Sequence, residues 1–345
     1  MRLILLPALT LPAASLEIRS YNAAVHDRFT GFNSALPVMN PSFLHDASKF
    51  TGLGWFSTGG HKQPAAVSPR HFLWATHHVG VPVGGSVIRS VSSDGTVVQR
   101  TTPAFTPLAS DGSGTCDLAI ATFDSALPST VKPFRMLNLG NDLAYIGTNL
   151  MVFGYGPGGV GPRAGHGLIS GFRTQDIDGM GPQGTTEFYR FDYLSAAGMP
   201  DDAYVTLAGG DSGTPSFTSV GGEPAIVGLH SFYLTPPGII ENYDSFIPHY
   251  VAKLDAEMEP LGYRMRPANY TATTLAFASE ADPAELRQAY PGTVKFTFGN
   301  SGTVLTGNAE MILAFAAGEA PASLAAPGWV VESTGAGSWS IRKAT

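Results

Sequence analysis

The sequence predicts an all-β protein, and three features of its composition and patterning support this. Gly (41) and Pro (26) are abundant among the 345 residues, which favours many short turns over long helices. Short apolar runs rich in β-branched and aromatic residues recur between these turns. Hydrophobic residues make up 43% of the chain and charged residues 14%, so a sizeable core is expected and disorder is not.

The first 15 residues have the features of a short secretory signal peptide. Arg2 precedes an apolar run, and small residues follow at 13-AAS-15. A buried first strand is the alternative interpretation. The signal interpretation predicts a secreted, periplasmic or cell-surface protein with no membrane association once the signal is removed. No other segment approaches the roughly 18–20 apolar residues that a membrane-spanning helix needs.

Residues 16–265 are predicted to form one large domain of short strands. Its apolar runs read as strands of a barrel or sandwich, for example 65-AAVSPRHFLWA-75, 117-DLAIATF-123 and 225-AIVGLHSFYL-234. The exception is a predicted helix over residues 248–262. Pro248 and Gly262 suit its two ends, and its apolar residues recur at helical spacing: Val251, Leu254, Met258 and Leu261.

Residues 270–345 are predicted to form a small, separate β-sandwich-like module. The stretches 292-GTVKFTFGNSG-302 and 328-GWVVEST-334 alternate β-prone residues with turn residues. Because the pattern runs to the last residue, we expect the module to be truncated here or to continue in a longer chain. Resemblance to such modules predicts no activity by itself.

Charge and cysteine content exclude several classes of function. The net charge is −7 and no run of Lys or Arg occurs, so nucleic acid is not an expected partner. Cys116 is the single cysteine, which excludes an intramolecular disulfide and a Cys-rich zinc site. The adjacent His77 and His78 have no carboxylate at metal-ligand spacing, so we expect no metal and no other cofactor.

The stretch 208-AGGDSGTPSF-217 is either a tight turn or the setting of a nucleophile, Ser212. Acyl transfer by a serine needs a base, an acid that fixes the tautomer of that base, and N–H groups for the oxyanion. The base candidate is His77, or its neighbour His78, at the end of the apolar strand in 67-VSPRHFLWATHHVG-80. The acid candidate is Asp117, since an acid that opens an apolar run is rarely buried unless it is paired. Asp111, in a Gly/Ser loop, competes with it.

With these three motifs the chain resembles the chymotrypsin/trypsin family of serine proteases, in the bacterial secreted form that lacks disulfides. The residues from Val67 to His77 match the family's "ISP..VLTAAHC" strand, and 117-DLAI-120 matches its "DIAL". The order His, Asp, Ser is that of chymotrypsin, not that of subtilisin or of the α/β-hydrolases. The resemblance covers roughly residues 30–257.

The resemblance implies a chymotrypsin-like double β-barrel with a C-terminal helix in a protease domain at 16–265. It also implies a serine endopeptidase that acts on polypeptides through a triad of His77, Asp117 and Ser212 and an acyl-enzyme. The N–H groups of Gly210 and Ser212 would form the oxyanion hole. The alternatives are a catalytically inactive relative that serves as a binding or scaffold protein, and a plain β-domain in which GDSG is only a turn.

The resemblance also implies a substrate-binding region. Thr206, six residues before the nucleophile, would lie at the base of the specificity pocket, which removes the usual support for a basic P1 residue. His230 with Thr206 would hydrogen-bond an acidic or amide P1 side chain, with a core histidine as the alternative. The backbone from Ser231 to Tyr233 would pair with the substrate as an added strand, and the Ser231 side chain would support the triad.

Two questions stay open at this level. Asn242 or Asp244 could also reach the pocket, and Asp244 there would favour a basic P1 residue. Asp211, an acid expected to be partly buried beside the nucleophile, needs a cationic partner. In activated members of the family that partner is a new N-terminal amine, but this sequence has no "R-IVGG" activation site.

Overall fold

The computed structural model describes residues 16–57, 62–78, 85–103, 105–156, 161–176, 184–192, 204–236, 240–268, 275–282, 293–300, 310–314, 329–335 and 338–343. The chain divides into two compact units, Met1–Asn269 and Tyr270–Thr345. The assignment of these units as a protease domain and a sandwich-like module stays a prediction. The predicted signal peptide lies outside the described residues, and within those residues no helix has the length and apolarity to cross a membrane.

The first unit is built mainly from short strands. Its first eight are β1 (Glu17–Ile18), β2 (Trp55–Phe56), β3 (Ala65–Ala66), β4 (His71–Trp74), β5 (Ser86–Val91), β6 (Val97–Thr102), β7 (Phe105–Ala109) and β8 (Thr115–Thr122). The next eight are β9 (Arg135–Met136), β10 (Asn149–Tyr155), β11 (Pro162–Asp176), β12 (Thr185–Asp192), β13 (Val205–Thr206), β14 (Pro215–Val220), β15 (Glu223–Leu234) and β16 (Glu241–Phe246). The helical segments are α1 (Ala23–His26), α2 (Val251–Met258) and 3-10 turns at Ala47–Phe50, Thr76–His78, Asp142–Tyr145, Ile247–Tyr250 and Glu259–Leu261.

Six antiparallel strands close into a barrel. β14 pairs with both β10 and β15, so the order β10, β11, β12, β16, β15, β14 returns to its starting strand. Closure gives every strand of the ring a partner on both sides over at least part of its length, which is how up-and-down and Greek-key barrels protect their strands. The core of this barrel is a cluster of buried side chains that includes Leu150, Val152, Ile169, Tyr189, Phe191, Val227 and Phe246.

The strands before residue 123 form two further sheets, in the orders β2–β5–β6 and β3–β4–β8–β7. An isolated bridge between Leu53 and Ala65 joins the segments that carry β2 and β3. All four residues of β4 and six of the eight in β8 are buried, as their continuous apolar runs require. Another buried cluster contains residues of these sheets, of the barrel and of α2, so the three pack around one core: Leu73, Leu118, Phe153, Phe217, Ile226, Leu254 and Met258.

The predicted helix over 248–262 is confirmed as a segment with 3-10 turns at both ends of α2. Pro occupies the first turn, and Gly262, at φ 76°, takes the left-handed conformation that ends the segment. Leu254 and Met258 are buried, but Leu261 is 42% exposed. A 3-10 turn has three residues per turn, so Leu261 rotates away from the face that the α-helix buries.

The all-β fold with a C-terminal helix is therefore confirmed for the first unit. In the second unit, β17 (Leu275–Asp282) and β18 (Thr293–Asn300) form a two-stranded antiparallel sheet. A three-stranded antiparallel sheet contains β19 (Glu310–Ala314), β20 (Trp329–Gly335) and β21 (Ser338–Lys343), with β21 in the centre. The unit is β-rich as expected, and its sandwich arrangement stays a prediction.

Candidate active site

His77 and Asp117 meet because their strands are neighbours. β4 and β8 are antiparallel, with Trp74 opposite Ala119, so the residues just after β4 face the residues that begin β8. Asp117 accepts hydrogen bonds from the main-chain N–H of His77 at 2.9 Å and from its ring Nδ1 at 2.8 Å. An ionised carboxylate can only accept, so Nδ1 carries the proton and Nε2 of the neutral ring is left as the basic nitrogen.

Asp117 is fully buried and is held from three sides by barrel strands. Ser231, on β15, donates its hydroxyl to Asp117 Oδ2, the oxygen that also accepts the His77 Nδ1 bond. The Thr186 hydroxyl, on β12, accepts the Asp117 N–H at 2.8 Å, and the Ser245 hydroxyl, on β16, donates to its carbonyl at 2.8 Å. A buried carboxylate with this many donors is fixed in position, and it fixes the His77 ring in turn.

The competing acid, Asp111, is placed differently. The Asp111 side chain is 56% exposed and pairs with His249 at 2.5 Å and Lys253 at 2.6 Å. It is therefore not the buried acid that the orientation of a histidine requires. These partners lower the pKa of Asp111, with the hydrogen bond from Lys253 as the largest cause. The side chain of His78 lies outside the described part of the structure.

Ser212 lies in a turn that requires glycine on both sides. Gly210 has φ +116° and Gly213 has φ +79°, conformations that residues with a side chain rarely adopt. A methyl group at Gly213 would lie 2.9 Å from Cε3 of Trp74, so the turn packs directly on the strand that leads to His77. The Gly213 N–H donates to the His230 carbonyl at 2.8 Å, and the His230 N–H donates to the Thr214 carbonyl at 2.9 Å.

Across the residues that the structure describes, no hydrogen bond joins the Ser212 hydroxyl to the His77 ring. The contact of Gly213 with Trp74 and that of Ser231 with Asp117 bring the two segments to the same site. Such bonds are often long in the absence of substrate and tighten when it binds. The structure thus brings the candidate base together with its candidate acid and packs the turn that carries Ser212 against the strand that leads to His77.

Asp211 is 1% exposed and is bonded mainly to the backbone. It accepts the Tyr155 N–H at 2.9 Å and the Ala208 N–H at 3.0 Å. Burial raises the pKa of Asp211 to about 6, against the lowering effects of the His230 charge and of these N–H donors. Leu16 lies beside it, since a methyl group at Gly154 would be 2.5 Å from Leu16 Cβ and 2.8 Å from Asp211 Oδ1.

The proposed role of His230 in recognising P1 is not supported by its contacts. The ring is 1% exposed, with Nδ1 2.7 Å from Asp244 Oδ1 and Nε2 2.6 Å from the Phe153 carbonyl. Both nitrogens are therefore occupied within the fold, and the core-histidine alternative describes the residue better. The sequence did not predict the bond between His230 and Asp244, because the two residues become neighbours only through the register of β15 with β16.

Thr206 and Asn242 are also turned inward. The Thr206 hydroxyl donates to Asn242 Oδ1 at 3.2 Å, and the same oxygen accepts the Leu207 N–H at 2.8 Å. Asp244 is fully buried beneath His230 and does not line the cleft beside Ser212, which removes the basis for a basic P1 preference from that residue. These polar groups stabilise the wall of the site rather than face a ligand.

A cleft of about 530 Å³ opens beside Ser212. Its walls include Leu207, Phe232 and Tyr233, the last 43% exposed, and Ser231 also borders it. Gln175 and Asp176, at the end of β11, contribute polar groups that the sequence analysis did not identify. No local motif marks them, because only the folding of the long β11 strand brings them to this cleft.

Comparisons with known proteins show only distant similarity. No family model and no curated protein matches the chain. Among solved structures, human heparin binding protein is similar, with a TM-score of 0.43 and 18% identity over 64% of this chain and 96% of that one. A double mutant of the same human protein has a TM-score of 0.42 and 17% identity over 62% and 95% of the two chains. These values are too low to bear on the chemistry of the site.

Proposed function

We propose that the protein is a serine endopeptidase that hydrolyses peptide bonds through Ser212, His77 and Asp117. The observation that carries this proposal is the pair of hydrogen bonds from His77 to the buried Asp117 carboxylate, which also accepts the hydroxyl of Ser231 beside the Ser212 cleft. A histidine oriented in this way beside a serine in a glycine turn is the arrangement that acyl transfer needs.

The chemistry follows from this geometry. His77 Nε2 takes the proton of the Ser212 hydroxyl as its oxygen attacks the substrate carbonyl. The N–H groups of Gly210 and Ser212 receive the developing oxyanion. Collapse breaks the peptide bond, and His77 returns the proton to the leaving amine. Water then attacks the acyl-enzyme by the same route, releases the new carboxylic acid and restores Ser212, while Asp117 stays ionised throughout.

The pairing of β15 supports binding of an extended polypeptide. β14 pairs with β15 only as far as Leu229, whereas β16 continues to pair with it to Leu234. Within the described strands, one edge of β15 from Ser231 to Leu234 is therefore unpaired beside the cleft. A substrate backbone can add to this edge as a strand, with side chains in the apolar cleft.

The proposal includes export, with residues 1–15 as the signal peptide and a protein substrate outside the cytoplasm. An inactive protease-like binding or scaffold protein is the alternative against which this proposal has to be tested. The two candidates differ in a property that is simple to measure, the reactivity of the Ser212 hydroxyl.

A fluorophosphonate probe tests this reactivity. We expect the wild type to be labelled on Ser212, as located by mass spectrometry of the digested protein, and to cleave a denatured protein substrate. Ser212→Ala should lose both properties. Ser219→Ala, at an exposed position on β14, is the matched control and should behave as the wild type. A folded wild type that neither takes up the probe nor cleaves protein would contradict the proposed function.

A further inference from the structure

We propose that His230 is a buried imidazolium that acts as the internal counter-ion of Asp211 and thereby positions the turn around Ser212, with Asp244 keeping the ring charged. The inference rests on the proposed function only in its consequence for catalysis. The charge of His230 can be tested without any activity. In this role His230 is a positioning residue, because both of its ring nitrogens are bonded within the fold.

The hydrogen bonds of the ring imply its charge. Nε2 lies 2.6 Å from the Phe153 carbonyl, which can only accept, so this nitrogen carries a proton. Nδ1 lies 2.7 Å from Asp244 Oδ1, while Asp244 Oδ2 accepts hydroxyls of Tyr189 at 2.6 Å and Ser216 at 2.7 Å. A carboxylate with these donors is stabilised in its ionised form, so Nδ1 also donates, and a ring protonated at both nitrogens is a cation.

The His230 ring and the Asp211 carboxylate are bonded to nearby residues of one strand. β10 links the two groups, since the Phe153 carbonyl bonds the ring and the N–H of Tyr155, two residues later, bonds Asp211. Main-chain bonds of His230 to Gly213 and Thr214 fix it to the other side of the same turn. Attraction between opposite charges is strong where water is excluded, and both residues are about 1% exposed.

The direction of the His230 pKa shift agrees with this geometry. Burial alone lowers the pKa of His230, but the charge and hydrogen bond of Asp244 and the charge of Asp211 outweigh it and leave the pKa raised. The other groups that face the ring are neutral: the Phe153 carbonyl, the Phe191 ring 6.4 Å away, and the N–H and carbonyl groups of the turn. Tyr189 and Ser216 act on it through Asp244.

Lys62 is the rival cation. It also attracts Asp211, although burial lowers the pKa of Lys62 to about 8. The Lys62 side chain is half-buried, whereas the His230 ring is bonded at both nitrogens and its main chain is bonded to the turn. Lys62→Met is therefore the variant that compares the two cations.

The charge itself is tested by nuclear magnetic resonance of protein labelled with ¹⁵N-histidine, with the His230 signals identified by their loss in His230→Gln. We expect both ring nitrogens to be protonated near neutral pH. A neutral His230 would overturn this inference and leave the proposed function intact. A protonated His230 in a wild type that fluorophosphonate cannot label would instead contradict the proposed function alone.

The positioning role is tested by steady-state kinetics on a peptide substrate and by urea unfolding. His230→Gln and Asp244→Asn should each lower kcat about tenfold to hundredfold with a smaller change in KM. The reason is that the N–H groups of Gly210 and Ser212 would move, whereas the walls of the cleft would stay in place. Lys62→Met should stay close to the wild type. A kcat loss in Lys62→Met that is absent in His230→Gln would overturn the assignment.

A double-mutant cycle keeps the test valid if His230→Gln folds poorly. Asp211→Asn removes the charge that needs a counter-ion, so His230→Gln should destabilise the Asp211→Asn protein less than it destabilises the wild type. Additive effects of the two substitutions on unfolding would show that no such ion pair exists.

Discussion

The Asp117 carboxylate binds His77 twice, through the ring Nδ1 at 2.8 Å and through the main-chain N–H at 2.9 Å. The second bond ties the carboxylate to the backbone of the turn, so the ring cannot swing away without breaking a buried hydrogen bond. The His77 side chain is 6% exposed, which limits its alternatives further. The His77 ring is thus held in one orientation, as the proposed role of a base requires.

Replacing Asp117 with Asn should lower kcat about ten-thousandfold, because an amide that donates toward Nδ1 stabilises the wrong tautomer of His77. The assay is steady-state hydrolysis of a peptide substrate by protein shown to be folded by circular dichroism. Asp111→Asn, which removes an exposed carboxylate of the same type, should retain full activity. Near-normal turnover in Asp117→Asn would show that another residue orients the base.

Ser231→Ala should lower kcat about tenfold and leave the protein folded. The substitution removes the hydroxyl that donates to Asp117, and a hydrogen bond to a charged group contributes roughly 1.5–3 kcal/mol. The comparison is with Ser219→Ala, which alters an exposed serine on the neighbouring strand. Equal rates in the two variants would mean that Ser231 does not support the triad.

Gly213→Ala should destabilise the protein by about 1–3 kcal/mol or more. The new methyl group meets Trp74 at 2.9 Å, and the residue keeps φ +79°, which an L side chain disfavours. Urea unfolding followed by tryptophan fluorescence measures the change. Gly112→Ala, where a methyl group meets nothing within 4 Å, should be nearly neutral, and a similar loss in both variants would contradict the packing explanation.

Asp211 should make stability depend on pH between about 4 and 6. Its pKa is raised from 3.8 to about 6, so the folded state binds the proton more tightly than the unfolded state. The resulting stabilisation is about 3 kcal/mol. It is complete below the pKa that Asp211 has in the unfolded chain and is lost as the pH rises through about 6. Urea titrations at pH values across this range should show that dependence in the wild type and its absence in Asp211→Asn.

The charge on His230 predicts how the N-terminus affects activity. If Asp211 already has an internal counter-ion, a protein that begins at Leu16 with a free amine should have nearly the same kcat as one that begins at Ser15. Leu16 is fully buried and its main-chain N–H donates to the Tyr155 carbonyl at 3.1 Å. A large gain in kcat for the protein that begins at Leu16 would mean that a terminal amine positions the turn.

Local sequence was sufficient to identify His77, Asp117 and Ser212 as candidates. Each can be recognised from its neighbours in the sequence. An apolar strand precedes His77, Asp117 is an acid at the start of a buried strand, and glycines surround Ser212. The antiparallel pairing of β4 with β8 then brings the first two together. The α2 helix was predictable for the same kind of reason, since its pattern and its end signals are contained in one segment.

The surroundings of the site could not be predicted in this way. His230 has a local pattern that suits either a pocket or a core residue, and its actual partners come from β16 and β10. Gln175 and Asp176 reach the cleft only because β11 is long. The loop between β15 and β16 has no pattern that fixes which residue opposes His230, so Asp244 could not be assigned to the pocket or to the core.

The sequence by itself determined the all-β class, the helix and the residues capable of nucleophilic chemistry, because these depend on local spacing and residue type. Only the tertiary structure decided which polar groups face the cleft and which are counter-charges within the fold. A one-residue shift in strand register moves a side chain to the opposite face of a sheet. The register of β15 with β16 places Asp244 on His230, so a residue that the sequence assigned to the substrate is bonded within the fold instead.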